Sequence, residues 1–155
     1  MYAHSETLSV RSRASPEAAF ERLDDPTALG SHMQKPSAMM LGGTMRYELD
    51  GGRGRTVGSV IRMTGYVLGL RLFLEEVVIE RSPPFSKTWE TRGDIRLLVI
   101  GHYRMGFTIT PQGNGSHVGM FTDYNLPDGQ GWKIMGAVFA KFYARWCLRK
   151  MTEGL

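Results

Sequence analysis

Between Thr44 and Asn125 the apolar residues of this chain recur mostly at every second position, and after Pro127-Asp128-Gly129 they recur at every third or fourth. That change of period limits the fold more than any other feature. A period of two buries one face of a strand, whereas a period near 3.6 buries one side of a helix. A long run of strands closed by one long helix predicts an antiparallel sheet with its helices segregated, the α+β class, and not the alternating units of a doubly wound sheet.

Six strand segments are predicted in the central region. Thr44 to Asp50 sets Met45, Tyr47 and Leu49 against Arg46, Glu48 and Asp50, and the turn GGRGR leads into Val57 to Gly65 as a hairpin. Leu70 to Arg81 follows and is stopped by Pro83-Pro84. The others are Lys87 to Thr91 around Trp89, Leu98 to Thr110, and Ser116 to Asn125, the last two joined by the turn PQGNG. In Leu98 to Thr110, Tyr103, Met105, Phe107 and Ile109 share one face, and His102, Arg104 and Thr108 the other.

Ahead of this region, Leu8 and Val10 alternate within Glu6 to Arg13, a further strand. Ser15 then offers an N-cap and Pro16 the first helical position, and Asp24-Asp25-Pro26 ends that helix. Thr27 to Gly43, with Pro36 inside it, reads as a short second helix and a loop. From Gly131 to Met151, Trp132, Met135, Phe139, Phe142 and Trp146 mark the expected inward side of the long helix. The sum is a curved sheet of about seven strands gripping a C-terminal helix, with two short helices after the first strand and a cavity between sheet and helix.

A chain of 155 residues is the size of one domain, taken here as residues 1–155, and 42% hydrophobic with 22% charged residues is an ordinary globular balance. The lone Cys147 sits in an apolar helix, which predicts a buried, inert thiol and a reducing compartment. The start MYAHSETLSV lacks the pattern of a signal peptide, and no apolar run reaches the roughly 18 residues of a spanning helix, so a cytoplasmic protein is expected. A net charge of +4 is a modest excess and does not imply nucleic acid.

The histidines His4, His32, His102 and His117 have no zinc-binding spacing, so no metal is expected. No cofactor is expected either: GGRGR lacks the lysine-hydroxyl ending of a phosphate loop, and no dinucleotide fingerprint occurs. Ten methionines are many for this length, and Met45, Met63, Met105 and Met135 fall on faces that should point inward, as suits a plastic apolar pocket. Tyr47, Trp89, Tyr103, Phe107, Phe139, Phe142 and Tyr143 are the aromatic candidates for its wall, the tyrosines offering hydroxyls to a polar ligand head. For acid–base chemistry the candidates are Tyr103 and an inward carboxylate such as Glu90. Glu48, Glu90 and Asp123 could face one another across the sheet for proton transfer, but outer-face pairing with Arg46, Arg62 or Arg92 is the reading their alternation favours. Lys133, Lys141, Arg145 and Arg149 lie at multiples of four and form a basic stripe, a solvated face or a contact with an anionic membrane.

The order of elements, and the stretch VRSRASPEAAFERLDDP with its Ser-Pro helix start after the first strand, resemble the START-like or SRPBCC superfamily of helix-grip proteins. KTWETRGDIRLL and YRMGFTIT are similar to its bacterial branches and carry no catalytic role with them. The resemblance implies a cavity for a hydrophobic or amphipathic small molecule such as a lipid, quinone or polyketide. Three functions fit: a carrier, a cyclase or dehydratase working in the same cavity, or a ligand-free interaction module. Nothing in the sequence specifies an oligomeric state.

Overall fold

A computed structural model of the chain describes residues 1–155 apart from Pro36, Ala38, Met39, Leu41 and the side chain of Trp132. The loop expected around Pro36 therefore lies partly outside the described residues. Its strands are β1 (His4–Ser12), β2 (Thr44–Leu49), β3 (Val60–Val67), β4 (Leu70–Ser82), β5 (Ser86–Arg96), β6 (Tyr103–Gln112) and β7 (Gly115–Tyr124). They form one sheet in the order β1-β7-β6-β5-β4-β3-β2, and all neighbours are antiparallel. β2 to β7 is thus a meander, and β1 joins it on the far side of β7.

Register shifts between Phe73 and Glu75 and between Val78 and Glu80 interrupt the β4–β5 pairing. Such bulges bend a strand and increase its twist, which gives the sheet a concave face. Met45, Met63, Leu74, Trp89, Met105 and Met120 are buried in the core on that side. Asp50 fixes the β2–β3 turn by accepting hydrogen bonds from the Gly52 N–H at 3.1 Å, the Ser59 hydroxyl at 2.6 Å and the Val60 N–H at 2.8 Å. That turn delays β3 to Val60, three residues after the expected start.

Among the described residues, four helices complete the fold: α1 (Pro16–Asp24), α2 (Pro26–Leu29), α3 (Ser31–Gln34) and α4 (Gln130–Thr152). The Ser15 hydroxyl oxygen accepts from the Ala18 N–H at 3.2 Å and caps α1, as the sequence predicts. The Asp25 carboxylate accepts from the Thr27 N–H at 3.0 Å and starts α2. The expected second short helix is in fact two single turns separated at Gly30. That residue lies directly beneath Tyr47, whose hydroxyl donates to its carbonyl at 3.2 Å, and a Cβ there would strike the ring.

Two further expectations are corrected. The strand expected from Leu98 begins only at Tyr103, and residues 97–102 form a loop whose Gly101 N–H donates to the Asn125 carbonyl at 2.7 Å. The other concerns the inward side of α4. Ala140, Ala144, Cys147, Leu148 and Met151 are its buried apolar side chains, while Phe139 and Phe142 are exposed and Met135 is only half-buried. Close approach explains the choice: a Cβ at Gly136 would come within 2.8 Å of the Val99 carbonyl and 2.7 Å of Pro127. Small residues bring the helix down onto the loops at this end, which leaves its large aromatics on the outside.

Candidate ligand-binding site

Because α4 turns small side chains toward the sheet along its middle, it does not fill the concave face. A cavity of about 100 Å³ remains, bounded by β2 to β7, α2, α3, the 97–102 loop and α4. Its wall is mainly aliphatic and thioether: Leu29, Met33, Met40, Ile61, Val67, Leu72, Leu74, Leu98, Ile100 and Met151 all contribute. An adaptable wall of this kind suits an apolar guest of variable shape.

Of the residues nominated from sequence, Met45, Tyr47, Met63, Trp89, Tyr103 and Met105 line this cavity. Phe107 does not; it is buried behind the wall, its ring 5.6 Å from Phe20 and 6.3 Å from Trp89. Met135, Phe139 and Phe142 also lie outside the lining, for the reason given for α4. Glu90 is on the opposite face of β5 from Trp89 and stands across from Arg104 in the β5–β6 register, so it is not the inward carboxylate.

The inward carboxylate is Glu76. It follows Leu72 and Leu74 at two-residue steps on β4, and its residue is only 4% exposed. The Tyr103 hydroxyl donates to Glu76 Oε1 across the cavity floor. Burial pushes the Glu76 carboxyl up to about 7, against the opposing effects of the Tyr103 hydrogen bond, the Lys87 charge and the Trp89 indole. Burial also raises the Tyr103 phenol well above its ordinary range, and the neighbouring carboxylate adds to that. At neutral pH the pair therefore holds a hydroxyl and a carboxyl near the midpoint of its own titration.

Lys87 is the second polar feature of the lining. Its Nζ donates to the Asp24 carbonyl at 3.0 Å and to Asp24 Oδ1 at 2.9 Å, and Arg81 holds the same carboxylate at 3.1 and 2.8 Å. Burial lowers the Lys87 ammonium despite its bond to Asp24. For Asp24, burial would raise the carboxyl, but the bonds from Arg81 and Lys87 outweigh it and hold the group below the ordinary carboxylate range. The network ties the last residue of α1 to β4 and β5 beside the cavity.

On the α4 side, the Tyr143 hydroxyl lies 3.6 Å from the Met40 sulfur and Cys147 adds a thiol that burial pushes up to about 12. A thiol in that state is a small apolar group and not a nucleophile. Among the described residues, no three His, Cys, Asp or Glu side chains cluster as metal ligands would, and no helix is long and apolar enough to cross a membrane.

Glu76, Lys87 and Asp24 were missed from sequence. Leu70 to Arg81 is so dense in apolar residues that its two faces were not separated, and the pair Glu75-Glu76 looks like a solvated step. The parity of Leu72, Leu74, Glu76 and Val78 carries the missing signal. For the Asp24–Lys87 pair, 63 residues apart, only tertiary structure brings the partners together.

A curved antiparallel sheet, a gripped C-terminal helix and an apolar cavity between them define the helix-grip class of ligand-binding folds. Residues 3–155 match the model of the family described as polyketide cyclase / dehydrase and lipid transport, and the chain belongs to that family. Solved structures agree on the fold. Mll3558 protein from Rhizobium loti is 16% identical with a TM-score of 0.68, covering 98% of this chain and 96% of its own. TTHA0849 from Thermus thermophilus is 12% identical with a TM-score of 0.66, covering 97% and 93%. Truncated norcoclaurine synthase from Thalictrum flavum is 18% identical with a TM-score of 0.64, covering 97% and 89%. At these identities the likeness is one of fold alone. No curated protein matches the chain in sequence.

Proposed function

We propose that the chain, as one domain over residues 1–155, binds and carries a hydrophobic small molecule of the lipid, quinone or polyketide kind in this cavity. The observation that supports it is the contrast within the lining: a broad apolar wall with a buried carboxyl–hydroxyl pair, Glu76 and Tyr103, at its floor. The apolar body of a ligand would occupy the methionine- and leucine-lined volume, and its carbonyl or hydroxyl would replace the Glu76–Tyr103 bond. Family membership is in keeping with such a guest. A cytoplasmic, reducing setting belongs to the same reading, since the one cysteine is buried and unpaired.

Native mass spectrometry of the protein purified from its own cells, followed by organic extraction, tests this reading. A stoichiometric apolar compound, absent from an Ala144→Trp variant that fills the cavity, is the expected result. A clean apo mass, together with no thermal shift across lipid, quinone and polyketide panels, would overturn it.

The titration of Glu76 near neutrality, which makes both its carboxylate and its acid form accessible, favours a second reading, a cyclase or dehydratase of an aromatic or polyketide-like substrate. A carboxyl near 7 in an apolar site can take a proton from carbon α to a carbonyl and return it to a departing hydroxyl. Tyr103 would hydrogen-bond the enolate oxygen formed in between. Tyr103→Phe separates the two readings: a carrier retains its ligand, whereas an enzyme loses at least about tenfold in turnover.

A further inference from the structure

The outward side of α4 carries large apolar side chains in solvent. Ile134, Val138 and Phe142 follow one another at four-residue steps and are 69%, 57% and 68% exposed, and Phe139 beside them is 54% exposed. At 100° per residue, Lys141, Arg145 and Arg149 fall within the same outward sector, whereas Lys133, at the start of the helix, falls on the side of Ala140, Ala144 and Met151 and does not belong to this face. Over its 23 residues α4 contains no Asp or Glu. Arg145 pairs with Glu6 and Lys150 with Glu153, but none of the ion pairs among the described residues involves Lys141 or Arg149.

We propose that this face docks the protein on an anionic lipid bilayer, with the apolar stripe entering the headgroup boundary and the flanking cations held at the lipid phosphates and carboxylates. Charge complementarity selects this occupant. An anionic bilayer satisfies the exposed large apolar side chains and the cations together. A second copy of the same face would bring two sets of like charges into opposition.

The sheet topology adds a second observation. β3, β5 and β7 run the same way, so the β3–β4 turn, the 97–102 loop and the start of α4 lie at one end of the sheet. The turn there presents Tyr66 and Leu68, 64% and 77% exposed, while adjacent Val67 and Leu72, with Val99 and Ile100 of the loop, line the cavity. Docking through the first half of α4 would set that end of the cavity near the bilayer. The docking does not depend on what the cavity holds, and the two are measured separately.

The test is flotation of the full chain with vesicles of phosphatidylcholine alone or with roughly 30 mol% phosphatidylserine. The expected result is at least about tenfold stronger partitioning onto the anionic vesicles, falling at least about tenfold in each of two variants, Ile134→Asp with Phe142→Asp, and Lys141→Glu with Arg149→Glu. All four positions are exposed, and thermal melting of both variants checks that they remain folded. Equal partitioning onto both kinds of vesicle, or none onto either, would overturn the proposal. So would a dimer in light scattering that Phe142→Asp dissociates, since the face would then belong to a second copy.

Discussion

Replacing Glu76 with Gln removes an ionisable group from the cavity floor and leaves an oxygen for the Tyr103 hydroxyl to bond. In the folded protein the carboxyl titrates near 7, against the ordinary 4.5 of an exposed glutamate. Below pH 4.5 it is protonated in both folded and unfolded chains, and its contribution to stability is complete. As pH rises from there the unfolded chain ionises first, so that contribution falls, and above about 7 it is lost. At ~1.4 kcal/mol per pH unit, the folded protein gives up about 3 kcal/mol across this window. The Gln variant gives up none of it, whatever constant difference its amide introduces. Urea denaturation of both proteins between pH 4.5 and 8 measures the effect, because carboxylates elsewhere cancel in the difference. The variant should gain about 3 kcal/mol relative to the parent over that range. A difference that stays constant to within about 0.5 kcal/mol would show that Glu76 titrates normally and would refute the reasoning.

Asp24→Asn should cost about 3–5 kcal/mol, because it leaves the buried Lys87 ammonium without its carboxylate, and equilibrium unfolding at pH 7 reads the loss. The Asp24 carboxyl is held below its ordinary range, so the stability it supplies is present above pH 3.8 and lost as pH falls through its lowered value; the variant should therefore show a shallower acid limb. The glycines of α4 should respond oppositely to alanine. Gly131, with open space around it, should gain roughly 0.5–1 kcal/mol in thermal melts, whereas Gly136→Ala should lose stability against Val99 and Pro127. Cys147 should resist a thiol reagent in the folded protein and react at the rate of an ordinary thiol in urea, since burial holds it protonated.

The fold was readable because each strand has one face in the core, so alternation alone located β2, β6 and β7, and the break in period located α4. What alternation cannot weigh is the size of the side chain that goes inward. Along α4 apolar residues occupy both sides, and counting large aromatics nominated Phe139 and Phe142. The distance between helix and sheet instead admits Gly136, Ala140 and Ala144. The site divided in the same way. The wall residues Met45, Tyr47, Met63, Trp89, Tyr103 and Met105 lie on cleanly alternating strands or beside a strong turn. Glu76 lies on β4 between the two register shifts, in a strand apolar on both faces, and Glu90 drew attention only because its neighbour Trp89 is so plainly inward.

The place of β1 in the sheet bears on how the protein is made. β3 through β7 can each pair with the strand synthesised just before it, within a few residues of chain. β1 pairs only with β7, His4 opposite Tyr124 and Ser12 opposite Ser116, so the earliest-made strand of this sheet is among the last to find its partner. Until then the inner side of the growing meander lacks both its last strand and the helix that covers it. Closing so long a loop is slow compared with zipping a hairpin, and the waiting apolar surface is open to association. A nascent chain of this topology has reason to need a chaperone during that interval, even if the finished protein needs none.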